Sequence, residues 1–245
     1  MQTIIDNILT NYEVFGKRGK DNLLIIHGWG RNINEWVDIA DNLAKENYVI
    51  LVDLPGFGGT SIPEGIFDTY AYADFIKNFI KRLNLTNITL IGHSFGGKVS
   101  TVVACQTPSI KKLFLVDASG VEEKKLITSI KIIVTKIIKP IMFFLPKDIR
   151  RSVFEKIASS DYKNAGELGE SFKRIVGQDV TRSASKIKIP TIIVWGDRDT
   201  EVPVLSAKKF KSLIKNSRIK IVWNAGHNPH LEKPERFLEI IKDNI

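Results

Sequence analysis

The sequence has very little cysteine and no leader-like segment at its start. Cys105 is the only cysteine among 245 residues, which excludes a disulfide within the chain. The first six residues, Met-Gln-Thr-Ile-Ile-Asp, contain no basic segment followed by an apolar stretch, so we predict no signal peptide. Together these absences favour a reducing, cytoplasmic location.

The sequence also lacks a long uninterrupted apolar run. The stretch from Leu126 to Leu145 comes nearest, but Lys131, Lys136 and Lys139 interrupt it. A helix that spans a bilayer needs about 20 consecutive, predominantly apolar residues. We therefore predict no membrane span, and we interpret this stretch as a helix that lies over an apolar cleft.

Positive charge is in excess without a nucleic-acid motif to explain it. The chain carries 36 lysines and arginines against 27 acidic residues, a formal net charge of +9, and the basic residues are spread along its length. A clustered basic face would indicate a nucleic-acid partner. We predict no nucleic-acid binding and a solvated basic surface, and an acidic protein remains a candidate partner.

Short apolar runs rich in β-branched residues alternate with helical patterns over residues 1–120 and again over residues 183–245. This alternation predicts an α/β fold with a mostly parallel central sheet flanked by helices. Between the two segments, residues 121–182 show helical spacing and no convincing strand. We therefore predict a core of residues 1–120 and 183–245, interrupted by a helical cap over residues 121–182.

A serine lies between two glycines in the segment Gly92 to Gly96, which reads Gly-His-Ser-Phe-Gly. An apolar run precedes this segment and a helical pattern follows it. Because glycine has no Cβ, the strand can turn sharply onto the helix there, with Ser94 at the apex. Such a turn exposes the hydroxyl and aims the first amides of the helix at any group bonded to it. Ser94 is our candidate nucleophile.

A serine nucleophile needs a histidine to accept its proton. Of the four histidines, His93 is adjacent to Ser94 and is expected to point away from the site, and His27 is expected to bond to its loop backbone. His227 follows the last strand pattern in a Gly-His-Asn-Pro loop, where strand ends line a crevice. We predict that His227 is the base, with His230 as a weaker candidate.

The carboxylate that orients the base is expected in the loop after the preceding strand pattern. Asp197 and Asp199 both lie there. Asp199 is farther along the loop and can reach the next one, whereas Asp197 is better placed to brace the turn. The resulting order, serine then aspartate then histidine, is known from one large group of serine hydrolases.

Donors for a negatively charged oxygen are the last requirement of this chemistry. The amide of Phe95, directly after the serine, is one candidate. The loop that follows an early strand pattern, His-Gly-Trp-Gly at residues 27–30, offers the amide of Trp29 as a second.

Taken together, these motifs resemble the α/β-hydrolase superfamily, in the branch with a small helical cap. The resemblance covers nearly the whole chain and also includes Asp-Leu-Pro-Gly-Phe-Gly at residues 53–58. It implies that Ser94, Asp199 and His227 form a catalytic triad, that Trp29 and Phe95 form the oxyanion hole, and that no metal or organic cofactor is needed. Serine at the turn argues against the branches that use aspartate there.

We predict a serine hydrolase of the carboxylesterase type (EC 3.1.1.-) that forms an acyl-serine intermediate on a small-molecule ester. Three alternatives stay open. They are hydrolysis of a C–C bond in a meta-cleavage product, cleavage of a pimeloyl-acyl-carrier-protein methyl ester, and a receptor that binds its ligand without turnover. No pattern in the sequence specifies an oligomeric state.

The predicted cap carries the remaining expectations about substrate. Its 13 lysines and arginines against 8 acidic residues would attract an acidic acyl carrier protein, although a lysine-rich chain is expected to have a lysine-rich cap in any case. Its apolar positions suggest a pocket roof, and ordinary helix packing explains these too. The candidate pocket residues are Ile130, Ile137, Ile141, Phe143 and Phe144.

Overall fold

A sheet of eight strands organises the chain in this computed structural model, which describes residues 1–19, 22–121 and 166–245. The strand order is β1-β2-β4-β3-β5-β6-β7-β8. The pairs β1–β2 and β2–β4 are antiparallel, and all other neighbours are parallel. The strands are β1 Gln2–Ile5, β2 Ile8–Phe15, β3 Asn22–Ile26, β4 Tyr48–Val52, β5 Ile88–His93, β6 Ile110–Val116, β7 Thr191–Gly196 and β8 Ser217–Val222.

The central strands are buried on both faces, which explains their nearly continuous apolar sequences. Every residue of β3, β5 and β7 is buried. The described helices are α1 Val37–Leu43, α2 Thr69–Arg82, α3 Phe95–Gln106, α4 Gly169–Gly177, α5 Thr181–Ala184, α6 Val204–Leu213, α7 Pro229–Glu232 and α8 Pro234–Lys242. Short 3-10 turns at Ile33–Trp36 and Gly166–Leu168 precede α1 and α4.

Helices cover the two faces of the sheet in separate layers. Side chains of α1 and α8, such as Ile39 and Phe237, pack on one face, and those of α2, α3 and α6, such as Phe75, Val99 and Phe210, pack on the other. Burying apolar area on both faces is the main favourable term in folding such a domain. The predicted α/β-hydrolase architecture, a mostly parallel sheet between helices, is confirmed.

The amino-terminal hairpin differs from the sequence expectation. From the sequence alone, the run Tyr12 to Phe15 predicts a single edge strand, whereas in the structure β2 begins at Ile8 and a further strand, β1, pairs with it. Asp6 and Asn7 join the two strands with positive φ angles of 49° and 64°. Asp and Asn adopt this left-handed conformation more readily than other non-glycine residues, so the dipeptide was a usable hairpin signal.

Most of the predicted cap, including all five candidate pocket residues, lies outside the described residues, and its boundaries remain a prediction. The candidate pocket residues are Ile130, Ile137, Ile141, Phe143 and Phe144. Within residues 166–182 the structure shows helical turns that are tied to the core. Phe67 N–H donates to Ser171 Oγ at 2.9 Å, and Thr69 N–H donates to Gln178 Oε1 at 2.8 Å. In the ranges that the structure covers, no helix is long and apolar enough to cross a membrane.

Candidate active site

Ser94 stands at a strained turn between β5 and α3. Its φ and ψ are 50° and −114°, an unusual conformation for a residue with a side chain. The two flanking glycines are required by space. A Cβ at Gly92 would overlap Ser100 Oγ, and a Cβ at Gly96 would overlap the carbonyl oxygen of His27. The turn therefore holds the serine hydroxyl at the carboxyl edge of the sheet, as the Gly-x-Ser-x-Gly pattern predicts.

Three predicted residues come together in one hydrogen-bond chain. Ser94 Oγ lies 2.9 Å from His227 Nε2, and His227 Nδ1 lies 2.8 Å from Asp199 Oδ2. Since a carboxylate only accepts hydrogen bonds, Nδ1 carries the proton in the neutral ring and Nε2 is free to accept the serine proton. The three side chains come from loops after β5, β7 and β8, whose carboxyl ends share one edge of the sheet.

Backbone donors hold Asp199 in place and keep it ionised. Asp199 Oδ1 accepts the amides of Glu201 and Val202 at 2.8 and 2.9 Å. Burial alone raises the pKa of the Asp199 carboxyl, but the hydrogen bonds and charge interaction that it receives, chiefly from His227, outweigh burial and lower this pKa below its usual range. The site therefore contains a carboxylate that can stabilise a charged imidazole.

The neighbouring aspartate has the bracing role that its position suggested. Ala225 N–H donates to Asp197 Oδ1 at 3.2 Å, which ties the loop after β7 to the loop that carries His227. The indole N–H of Trp195 donates to the Val202 carbonyl at 2.9 Å and closes the Asp199 loop from the other side.

Ser94 and His227 line a cavity of about 640 Å³ that also includes both candidate oxyanion residues. One wall is aromatic. The ring centroid of Trp29 lies 5.1 Å from that of Phe172 and 5.4 Å from that of Phe95. Polar side chains at its rim include Arg31 and Glu201. A cavity of this size that combines an apolar wall with convergent polar groups is typical of a small-molecule site.

The two candidate oxyanion amides are available as hydrogen-bond donors. Phe95 is the first residue of α3, and the first four amides of a helix have no partner within it. Within the ranges the structure covers, no hydrogen bond uses the Trp29 amide as its donor. Both residues border the cavity beside Ser94.

His93 has a different position from the one expected. Its ring does not point away from the site, because its centroid lies 5.0 Å from the His227 ring and its Nε2 donates to the His227 carbonyl at 2.8 Å. The residue before the serine thus holds the loop of the candidate base. His27 has the expected structural role: Leu54 N–H donates to its Nε2, and its Nδ1 lies 2.7 Å from the Gly28 carbonyl.

A buried cluster of Glu35, Trp36, His93 and His230 lies behind His227, and we call it the rear cluster. His230 stacks on Trp36 with ring centroids 4.0 Å apart, so it is not a second base at the serine. Within the described chain, His93 Nδ1, Trp36 Nε1, Glu35 Oε1 and both His230 nitrogens have no hydrogen-bond partner. Burial, followed by the charges of Arg31 and His227, lowers the pKa of His230 to about 3.

Two groups of side chains place possible metal ligands together. Atoms of Glu35, His93 and His230 lie within 4.8 Å of one another, as do atoms of Asp117, Asp199 and His227. Nitrogen and oxygen ligands about 2.0–2.1 Å from one tetrahedral zinc ion would lie about 3.4 Å apart. In the first group, Glu35 Oε1 and His230 Nε2 are 3.8 Å apart, which is farther than this. The second group already uses His227 and Asp199 in the hydrogen-bond chain, so we propose a metal site at neither place.

Comparisons with known proteins agree with this geometry. The model of the alpha/beta hydrolase fold family matches residues 21–135. Lipase 3 of Moraxella sp. is 30% identical over 230 residues, which are 86% of this chain and 72% of that protein. Monoacylglycerol lipase ABHD6 of Mus musculus is 26% identical over 268 residues, which are 95% of this chain and 78% of the relative.

A search of solved structures gives the same grouping. The crystal structure of a membrane phospholipase A, described as a bacterial virulence factor, superposes with a TM-score of 0.81 at 25% identity. That alignment covers 99% of this chain and 84% of the other.

Proposed function

This chain belongs to the α/β-hydrolase superfamily, and on that premise we propose that it is a serine hydrolase that cleaves carboxylic esters. The observation that carries the proposal is the hydrogen-bond chain from Ser94 through His227 to Asp199, with distances of 2.9 and 2.8 Å. These are the distances at which a base can take a proton from a nucleophile and be oriented by a third group.

In the first half of the reaction, Ser94 Oγ attacks the ester carbonyl carbon while His227 Nε2 takes the hydroxyl proton. The carbonyl π bond opens and places a negative charge on the carbonyl oxygen. Asp199 holds the Nδ1–H in position and stabilises the imidazolium that forms. When the tetrahedral intermediate collapses, His227 returns the proton to the departing alkoxide, the alcohol leaves, and the acyl group stays on Ser94.

The amides of Trp29 and Phe95 are the proposed donors to the charged oxygen. Both border the cavity next to Ser94, and the Phe95 amide has no partner in its own helix. Such donors stabilise the transition state because they are already oriented before charge develops, and losing one typically costs on the order of 10²–10³ in turnover.

In the second half, a water molecule gives its proton to His227 Nε2 and attacks the acyl carbon. His227 then gives that proton back to Ser94 Oγ as the bond to serine breaks, and a carboxylic acid is released. The same base therefore serves both halves, and its tautomer must be restored each time. The hydrogen bond that His227 Nδ1–H donates to Asp199 Oδ2 restores this tautomer.

The wall of the cavity favours an apolar acyl group. Trp29, Phe95 and Phe172 form its aromatic side, and Ile175 and Val176 extend it. The relatives named as lipases act on acyl esters according to their names, which supports the same substrate class for this chain. An acidic acyl carrier protein remains a prediction, because most of the basic segment 121–182 lies outside the described residues.

The test uses a fluorophosphonate probe, which bonds covalently to activated serines, together with p-nitrophenyl esters from acetate to palmitate. We expect Ser94→Ala to abolish labelling and to lower kcat by at least about 10⁴-fold. Ser119→Ala is the matched control because Ser119 lines the same cavity without a histidine on its hydroxyl. This control variant should keep both labelling and turnover.

The proposal fails if the probe still labels Ser94→Ala, since another residue would then be the nucleophile. It also fails if wild type neither reacts with the probe nor turns over any ester of the series. A turnover that rises from acetate to the longer esters would support the apolar acyl pocket.

A further inference from the structure

We propose that Asp117 is a positioning residue of this site, a neutral carboxylic acid that donates a hydrogen bond to Asp199 and holds it against His227. The catalytic part of this inference rests on the proposed function, whereas the protonation state of Asp117 can be tested without it. No sequence motif marks Asp117 as part of the site.

The parallel sheet brings the two aspartates together. Asp117 directly follows β6 and Asp199 lies in the loop after β7, and these two strands are parallel neighbours. Asp117 N–H donates to the Val194 carbonyl at 3.0 Å, so Asp117 is held at the end of the hydrogen-bond ladder between β6 and β7. One carboxyl oxygen of each aspartate and one ring nitrogen of His227 lie within 4.8 Å of one another.

The surroundings of Asp117 suit a neutral carboxyl better than an ionised one. The residue is fully buried, and its Oδ1 accepts the Gly196 amide at 3.0 Å. Its Oδ2 is also buried, and no group in the described ranges donates to it. A carboxylate would leave that oxygen without a donor beside a second carboxylate, and both conditions are costly. A proton on Oδ2 turns the same oxygen into a donor, and Asp199 is the acceptor within reach.

The two carboxyls differ in how many donors they receive, and this decides which one holds the proton. Asp199 accepts hydrogen bonds from Glu201 N–H, Val202 N–H and His227 Nδ1–H, which use three of its roughly four lone-pair positions. Asp117 accepts one, from Gly196. Asp199, which accepts more hydrogen bonds, is therefore the stronger acid, and the proton shared by the pair stays on Asp117.

The electrostatics agree with this assignment. Burial raises the pKa of Asp117 well above its ordinary value, and the hydrogen bond to Asp199 and the negative charges of Asp199 and Glu232 raise it further, against a smaller opposite effect of the Gly196 amide. The ionisable groups that face Asp117 are thus Asp199, Glu232 and the nearby His227. Asp199 shows the opposite shift and stays ionised.

The positioning effect follows from the geometry of the acceptor. Asp199 is held by two loop amides on one oxygen and by His227 on the other, and a donor from Asp117 reaches it from β6, a different part of the sheet. A carboxylate held from several directions keeps its oxygen aligned with His227 Nδ1, and this alignment sets the tautomer of the base.

The decisive variant is Asp117→Asn, compared with wild type and with Asp197→Asn as the matched control. Asparagine tolerates the positive φ of 42° at this position, can accept the Gly196 amide and can donate to Asp199. In wild type the unfolded chain ionises Asp117 near pH 4 while the folded chain keeps the proton, so stability falls as pH rises above that value. Asparagine removes this loss.

We therefore expect the thermal midpoint of Asp117→Asn, relative to wild type, to rise steadily between pH 5 and pH 8. Its kcat/KM should stay within about threefold of wild type with an unchanged acidic limb. The second variant, Asp117→Gly, suits the positive φ but removes the donor, and we expect a loss in kcat of about tenfold or more with little change in KM.

A midpoint difference that is flat or falls with pH would overturn the proposal, because Asp117 would then be ionised in the folded protein. So would an acidic limb of kcat/KM that moves to lower pH in Asp117→Asn, since this would mean that wild type has a negative charge there supporting protonated His227. The difference measured for Asp197→Asn should not change over this pH range. If no ester is turned over, the proposed function fails, while the thermal measurements still decide the state of Asp117.

Discussion

The two sides of His227 are built from the same kinds of residue, but they differ in how those residues are paired. On the side of the cavity, both ring nitrogens of His227 have partners, Ser94 and Asp199. On the other side, His93 and His230 lie in the rear cluster, where the described residues leave three ring nitrogens without a partner. All three histidines are buried, so burial by itself does not separate them.

What separates them is the carboxylate. A histidine with an ionised aspartate on Nδ1 can accept a proton at Nε2, because the positive ring that results is stabilised. In the rear cluster Glu35 Oε1 stands 3.8 Å from His230 Nε2, beyond hydrogen-bond distance, and burial dominates. It lowers the pKa of His230 to about 3 and that of His93 well below the usual value. The ring of His227 therefore has a carboxylate that can stabilise its protonated form, whereas burial keeps the rings of His93 and His230 neutral.

The largest effect should come from removing the charge that distinguishes the two sides. Asp199→Asn keeps the size of the side chain but leaves His227 without a carboxylate, and we expect kcat for ester hydrolysis to fall by about 10⁴-fold. Steady-state kinetics on a p-nitrophenyl ester measures this. Asp197→Asn is the control, because Asp197 braces the turn without touching His227, and it should lose less than about tenfold.

If the two aspartate variants lost activity equally, the orienting role would not belong to Asp199. Another carboxyl would then have to be the group that orients His227.

A smaller effect is expected from removing a hydrogen bond that joins the two sides. His93 Nε2 donates to the His227 carbonyl at 2.8 Å, and His93→Phe removes it while keeping a flat ring. We expect kcat/KM to fall by about tenfold, which corresponds to the loss of one buried hydrogen bond. His93→Gln, whose amide can still donate, should recover part of the loss. Equal activity of the Phe and Gln variants would mean that the bond does not position His227.

The smallest effect concerns stability rather than turnover. Because the folded pKa of His230 is lowered to about 3, the unfolded chain takes up a proton near pH 6.5 that the folded chain refuses. Stability is therefore complete above about pH 6.5 and falls as pH decreases toward 3. At pH 6 the loss is about a fourfold decrease in the folding equilibrium constant.

Denaturant unfolding of wild type and His230→Phe between pH 6 and pH 8 checks this prediction. Phenylalanine keeps a ring against Trp36 and cannot titrate, so the variant should lose less stability on acidification. Parallel pH dependence in the two proteins would show that His230 titrates normally in the folded state.

Much of the candidate site could be predicted because its signals are local. Gly92 and Gly96 mark the sharp turn, since any side chain there would overlap its neighbours. The strands are short apolar runs, and the structure places Ser94, Asp199 and His227 just beyond the ends of β5, β7 and β8 as expected. The fold and the position of the candidate nucleophile can therefore be predicted from patterns that each span only a few residues.

The parts that sequence reasoning missed depend on contacts between distant segments. Asp117 directly follows a strand, as Asp53 and Asp197 do, and only the pairing of β6 with β7 shows that it lies near Asp199. The direction of the His93 ring was predicted wrongly because it is decided by the carbonyl of His227, far along the chain.

By itself, the sequence determined an α/β-hydrolase sheet, a strained serine turn and the order of the residues that follow it. These features are set by periodicity and by glycine geometry, which act over short stretches of chain. Tertiary structure alone decided how each ionisable group behaves. A pKa depends on burial and on which donors and charges lie within a few ångströms, and for Asp117, Asp199, His93 and His230 those neighbours come from distant segments of the chain.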